Sequence, residues 1–219
     1  MTEVIRHSTA SEAEIVTDPL LRAQLEGENG LRQFRTVIDM VRSFLDPERP
    51  FKFRPSHLQT LHRAALLGLS GYAGNWRPSE IKIEGSPHQP PAAFEIPELI
   101  EDLCEYVNDK WQTKSPMHLA SYVMWKLNWI HPFTDGNGRT SRAASYLILC
   151  LKMGYVLPGK RTIPDQISEN KTPYYKALEA ADNAWAAGEI DLTAMKSLLS
   201  SMLAEQLVAV HGDSDTGEE

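Results

Sequence analysis

Residues 131–142, His-Pro-Phe-Thr-Asp-Gly-Asn-Gly-Arg-Thr-Ser-Arg, concentrate groups that can do chemistry together. Gly136, Asn137 and Gly138 can turn successive backbone N–H groups toward one point, which makes a nest for an anion. A helix that follows aims the positive end of its dipole at the same point. Arg139 and Arg142, three apart, share one face of that helix's first turn. Cations there oppose the dipole, so the pair is better explained as phosphate clamps. Asp135, just before the nest, is a lone carboxylate suited to magnesium, which keeps several waters and takes other oxygens from a polyphosphate. His131 ends the preceding helix, where a neutral imidazole can take a proton from an incoming hydroxyl near neutral pH. Singly, each piece has a structural explanation: glycine turns between helices are common, and a histidine at a helix C-terminus can simply meet the dipole. Base, carboxylate, nest and two arginines within twelve residues together point to a phosphate-handling site.

The elements that must hold these residues are mostly helices. Ser115-Pro116 opens an apolar helix ending at Ile130, and a second runs from Arg139 to about Met153. Residues 29–46 place Leu31, Phe34, Val37, Ile38, Val41 and Leu45 at helical spacing, which predicts a core-facing stripe. Residues 56–69 open with Ser56, an N-cap after Pro55; Pro97 starts another helix, and residues 191–208 form a last amphipathic one. Residues 80–91 alternate Ile81/Lys82/Ile83/Glu84 and turn at Gly85-Ser86-Pro87, which predicts a short hairpin. The fold class that follows is all-α with a small β-hairpin. No internal repeat is present.

A chain of 219 residues, 42% apolar and 23% charged, suits one soluble globular domain. No apolar run reaches the roughly 18–20 residues of a membrane span, and residues 1–16 lack the apolar stretch and cleavage site of a signal peptide, so a cytoplasmic location is expected. A formal charge of -7 argues against a general nucleic-acid binder without forbidding a local phosphate site. Cys104 and Cys150 fall inside apolar helical patterns and read as buried free thiols, because no His/Cys cluster suggests zinc.

With these residues in view, the segment resembles the signature of the Fic (filamentation-induced-by-cAMP) family, His-x-Phe-x-(Asp/Glu)-Gly-Asn-Gly-(Arg/Lys)-x-x-Arg. Here His131, Phe133, Asp135, Gly136, Asn137, Gly138, Arg139 and Arg142 fill every defining position. The resemblance extends over about residues 56–183: Gly71–Arg77 and the hairpin at 81–91 are similar to the family's flap and its approach, and Lys171–Leu178 to the stretch beside the adenine. It implies a Fic-type helical catalytic domain over 56–209, an N-terminal helical extension over 1–55, and an acidic disordered tail over 210–219.

The activity implied is protein adenylyl transfer (AMPylation), moving AMP from ATP to a Ser, Thr or Tyr hydroxyl of a target protein with Mg2+. By that resemblance His131 is the general base and Asp135 the magnesium ligand. Asn137 bonds the α-phosphate, the amides of Gly136 and Gly138 cradle the phosphates, and Arg139 and Arg142 take the β- and γ-phosphate charge. Phe133 anchors the loop from the core. Ile83 and His88 of the flap contact an added target strand or merely shape the hairpin. Tyr174, Tyr175 and Asp182 line the adenine pocket, or the tyrosines belong to the core.

Many family members carry an inhibitory helix, (Ser/Thr)-x-x-x-Glu-(Gly/Asn), whose glutamate pairs with the second signature arginine. Glu26-Gly27 and Glu28-Asn29 are the candidates here, with Arg22 and Gln24 where the Ser/Thr would stand. Two readings of Glu28 stand open: a carboxylate that reaches Arg142 and restrains the site, or part of a solvated start of the helix at 29–46; which of Glu26 and Glu28 would inhibit is also open. Three rival functions remain at this stage: removal of AMP from a modified protein, transfer of another phosphate-containing group, and a silent toxin-like module held by an antitoxin or by self-association. Gly136 and Arg139 stand where the protein-kinase-like branch of the family has Ala and Lys, which favours nucleotide transfer.

Overall fold

The computed structural model describes residues 8–9 and 15–212, and the described chain is mostly helical. Eight α-helices follow in order: α1 Pro19–Phe44, α2 Pro55–Leu66, α3 Ile96–Asp109, α4 Pro116–Ile130, α5 Asn137–Met153, α6 Ile163–Glu169, α7 Thr172–Ala186 and α8 Thr193–Gly212. Two short strands, β1 Ser8–Thr9 and β2 Lys82–Ile83, complete it.

The centre of the fold is the pair α4 and α5. Ten of the fifteen residues of α4 and twelve of the seventeen of α5 are buried, so these helices face protein on nearly every side rather than along one stripe. Leu119, Val123, Leu127 and Ile130 of α4 and Ala144, Leu147 and Ile148 of α5 are fully inaccessible. The remaining helices wrap this pair, burying Leu58 and Leu61 of α2, Ile100 and Leu103 of α3, and Met195 and Leu199 of α8 in the same core. Val37 and Val41 of α1 join it too, so the N-terminal helix shares the core of the rest. Such a centre gives the six-residue connection between α4 and α5 two rigid anchors.

Helix α1 departs from the expected stripe. It begins ten residues earlier than periodicity indicates, because Asp18 caps the N–H of Leu20 at 2.8 Å ahead of Pro19. Its buried face is Asn29, Gln33, Val37 and Val41, while Leu31 is 62% and Phe34 41% exposed. The polar pair decides the rotation. Asn29 donates to the Leu67 carbonyl at 2.8 Å and Gln33 to the Leu61 carbonyl at 3.1 Å, which ties α1 to α2. At the start of α2 the N-cap is Arg54, with Pro55 in the first turn, and Ser56 lies inside the helix. Helix α8 runs to Gly212, past the expected end at residue 208, and of the expected acidic tail residues 213–219 lie outside the described residues. Cys104 and Cys150 are buried free thiols, pushed up to about 12 and about 11 by burial.

The flap is present with one change of partner. Gly85, at φ 72°, makes the turn, and the Ser86 N–H donates to the Ile83 carbonyl at 3.3 Å. Strand β2 pairs antiparallel with β1, Thr9 opposite Lys82 and Ser8 opposite Ile83, instead of with the arm that returns from the turn. That arm carries Pro87, Pro90 and Pro91, which have no N–H to offer a ladder.

Candidate active site

The last turn of α4 sets the imidazole. His131 is the one non-glycine residue with positive φ among the described residues, at 51°, where it caps the helix through its N–H to the Leu127 carbonyl at 3.0 Å. A histidine in the left-handed region is strained and needs support from outside the helix. Arg77 supplies it. Its buried guanidinium donates from Nε to the His131 carbonyl at 2.8 Å, from Nη1 to the Ser79 carbonyl at 2.8 Å and from Nη2 to the Pro91 carbonyl at 2.5 Å. Both ends of the flap and the imidazole's backbone are therefore held by one side chain. The His131 ring donates from Nδ1 to the Asn128 carbonyl at 3.1 Å, which leaves the Nε2 lone pair as the acceptor. Burial pulls its pKa down to about 4, against the opposing bond to Asn128, so the ring is neutral near pH 7.

The loop that follows is braced from below. Phe133 is fully buried and stacks on His62 with centroids 3.7 Å apart. His62 Nδ1 accepts from the Gly74 N–H at 2.9 Å, so its Nε2 donates to the Asp135 carbonyl at 2.9 Å. Asn137 grips the same loop: its carbonyl oxygen accepts from the Phe133 N–H at 2.9 Å and its amide donates to the Phe133 carbonyl at 2.8 Å. One amide hydrogen of Asn137 is left over for a ligand. Gly136 lies at φ 73°, and a Cβ there would meet Leu66 Cδ2 at 2.4 Å, so glycine is required by conformation and by space.

Helix α5 begins at Asn137, and its first N–H groups open into a cleft of about 570 Å3. Arg139 reaches back to Asp135 at 3.0 Å, and the same carboxylate accepts from the Gly136 N–H at 2.6 Å. Arg142 is different. Half-buried, it rests against Gly138, where a Cβ would lie 3.3 Å from its Nη1, and it has no hydrogen bond or ion pair to a described residue. A half-buried guanidinium that no described carboxylate pairs with is suited to an anionic ligand. Asp135 stands alone, since no group of three potential metal ligands occurs among the described residues; one carboxylate beside a polyphosphate site is a donor set that fits Mg2+.

His131, Asp135, Gly136, Asn137, Gly138, Arg139 and Arg142 all line this cleft. So do Ile83 and His88 of the flap; His88 donates from Nε2 to the Trp129 carbonyl at 2.7 Å, which fixes the flap to the end of α4. Tyr174, Tyr175 and Asp182 line it from α7. Tyr174 is 2% exposed, and its hydroxyl bonds to Asn128 at 2.7 Å, so most of its ring is core. Asp182 accepts from Trp125 Nε1 at 2.8 Å.

Of the two readings of Glu28, the solvated helix start is the one observed. Glu28 is exposed away from the cleft, where it accepts from Gln24 at 2.9 Å. Glu26 is the α1 carboxylate that lines the cleft, together with Arg22. Two residues on a helix are about 200° apart around its axis. Once Asn29 and Gln33 face α2, residues 22 and 26 share their side and Glu28 cannot. Arg77 and His62, which hold the loop, went unnoticed as supports in the sequence; Arg77 does close the Gly71–Arg77 stretch that leads into the flap.

Fold and site together define a helical domain whose cleft combines the N-terminus of α5, its two arginines and a neutral imidazole. A family model, Fic/DOC, matches residues 52–149, so this segment, which holds the cleft loop and most of α5, is a Fic-type domain. Protein adenylyltransferase Fic of Drosophila persimilis is 32% identical over 124 residues, which are 56% of this chain and 23% of that relative's length. Among solved structures, a Fic domain containing signaling protein from Bacteroides thetaiotaomicron superimposes with TM-score 0.69 at 21% identity, covering 89% of this chain and 76% of that one. BepC of Bartonella tribocorum, solved with bound AMPPNP, gives 0.54 at 18% identity over 85% of this chain and 88% of its own. These two structures share the fold of this domain.

Proposed function

We propose that this domain is a protein adenylyltransferase, transferring AMP from ATP to a hydroxyl of a target protein. Arg142 carries the reading: a half-buried guanidinium with no ion pair to a described residue, against the glycine nest, in one cleft with a neutral imidazole. A nucleotide's triphosphate supplies the missing negative charge, and the helix dipole of α5 adds to the attraction.

In this reading the target's hydroxyl approaches His131 Nε2, which takes its proton. The freed oxygen forms a bond to the α-phosphorus, the bond from that phosphorus to the bridging oxygen breaks, and pyrophosphate leaves. Asp135 would hold Mg2+, whose charge neutralises phosphate oxygens when bound. Arg139 then exchanges part of its pairing with Asp135 for phosphate, Arg142 binds beyond it, and the spare Asn137 amide hydrogen bonds a phosphate oxygen. Fixed donors of this kind lower the barrier by positioning and charge stabilisation. Ile83 and His88 stand where a target segment would lie beside the flap, and Tyr175 and Asp182 where the base would lie. The relative named protein adenylyltransferase, and the AMPPNP held by BepC, support nucleotide transfer over the rivals.

The test is incubation with ATP labelled on the α-phosphate, magnesium and a host lysate, beside the His131→Ala variant. Labelled protein bands that require His131 are the expected result. Label that persists in His131→Ala, or its absence from both together with failure to bind Mg-ATP, would overturn the assignment.

A further inference from the structure

A second cavity shares the arginine pair with the cleft. Arg139, Arg142, Ala143 and Tyr146 stand at i, i+3, i+4 and i+7 along α5 and so lie on one face of it. Against α1, α6 and the loop that leads into α6, that face bounds a space of about 580 Å3, the size of a small-molecule pocket. Its α1 wall includes Leu31, Phe34 and Val37, and Leu31 and Phe34 are exposed although large and apolar. The Phe34 ring lies 6.5 Å from that of Tyr146, centroid to centroid, so aromatic rings from two helices meet in this wall.

The charged lining is mostly cationic: Arg139, Arg142 and Lys160 against one carboxylate, Asp165. Asp165 is engaged in the cap of α6, accepting from the Thr162 N–H at 2.9 Å and from its hydroxyl at 2.6 Å. Arg139 is held by Asp135, whereas Arg142 has no hydrogen bond or ion pair to a described residue. Burial lowers the Arg142 pKa and Asp165 is among the groups that raise it, so this guanidinium is in electrostatic reach of the second cavity as well as of the cleft. Such a lining selects its ligand by exclusion. The cations repel another cation, a neutral apolar molecule would leave Arg142 without a partner, and a polyphosphate has no apolar body to lay against Phe34 and Tyr146.

We propose that the second cavity binds an aromatic carboxylate, its rings against Leu31, Phe34 and Tyr146 and its carboxylate on Arg142, and that this ligand restrains nucleotide binding by holding a shared guanidinium. The restraint rests on the nucleotide reading of the cleft above; the cavity's own ligand does not. By linkage, nucleotide and carboxylate weaken each other by the same factor. The probes are naphthoate and its uncharged amide, naphthamide, titrated calorimetrically into the whole chain. Naphthoate is expected to bind about tenfold more tightly than naphthamide, the worth of one charged contact. Leu31→Glu puts a carboxylate on the apolar wall at an exposed position. It should weaken naphthoate about tenfold, with Mg-ATP affinity within about twofold and an unchanged Tm. Saturating Mg-ATP should weaken naphthoate about tenfold in wild type. Naphthoate that fails to bind, binds no better than naphthamide, or ignores Leu31→Glu overturns the cavity assignment. Naphthoate that binds as expected but is indifferent to Mg-ATP, in protein that binds Mg-ATP, overturns the restraint. Protein that binds naphthoate and no Mg-ATP overturns the nucleotide reading while supporting the cavity.

Discussion

Replacing Arg77 by methionine removes a guanidinium that joins three carbonyls and keeps most of the side chain's apolar length. The His131 carbonyl is left buried without its donor, whereas those of Ser79 and Pro91 lie closer to solvent and can find water. A buried acceptor stripped of its partner loses about 1–3 kcal/mol, and the two outer bonds add a smaller amount, for a total of about 3 kcal/mol. For a domain of this size that lowers Tm by about 6–12 °C. The catalytic effect should exceed the thermal one. Without Arg77 the left-handed conformation of His131 loses its anchor, and a shift of about 1 Å in a catalytic group lowers the rate roughly a hundredfold. Arg77 bonds neither the nest nor the arginines, so Mg-ATP affinity should stay within about twofold. Thermal denaturation, calorimetry and single-turnover labelling separate the three quantities, and Arg77→Lys should be intermediate. A variant that melts like wild type and keeps its rate would refute the reasoning. So would a rate loss explained entirely by weaker ATP binding.

Gly136→Ala should destabilise by about 3 kcal/mol, combining the left-handed penalty with the clash at Leu66. Gly154→Ala is the control, because it shares the positive φ but meets nothing within 4 Å, and should lose only about 1 kcal/mol; urea unfolding midpoints compare them. The His131 ring gives a pH signature. Its folded pKa of about 4 lies below the ordinary 6.5, so the unfolded chain takes up a proton first as pH falls. The stability tied to the neutral ring is complete above pH 6.5 and is lost down to about pH 4, to a limit of about 3 kcal/mol. Wild type minus His131→Gln in urea unfolding at several pH values measures it, and a flat difference across that window would count against the burial argument. The acid limb of kcat/KM should likewise fall well below pH 6.5.

Much of the site was legible because it is local. Residues 131–142 carry their own geometry: a glycine turn, a helix start and side chains at fixed offsets, so the nest and its arginines follow from short-range sterics and helix periodicity. The helices α4 and α5 were legible for the same reason, as were the buried cysteines Cys104 of α3 and Cys150 of α5.

What the sequence could not reveal depends on contacts between distant residues. Arg77 meets His131 across 54 positions and His62 meets Asp135 across 73, and no local pattern marks either pair. An apolar stripe predicts the buried Val37 and Val41 of α1 but not the rotation of its first half, where Asn29 and Gln33 face the core by bonding carbonyls of α2 and its exit. That rotation decides which glutamate meets the cleft, Glu26 in place of Glu28, and brings Arg22 with it. The ladder partner of β2 was likewise hidden, since a strand pair between residues 8–9 and 82–83 is a long-range match. Residue chemistry thus determined what this site can do, while the packing of helices from far along the chain determined which charges are present to do it.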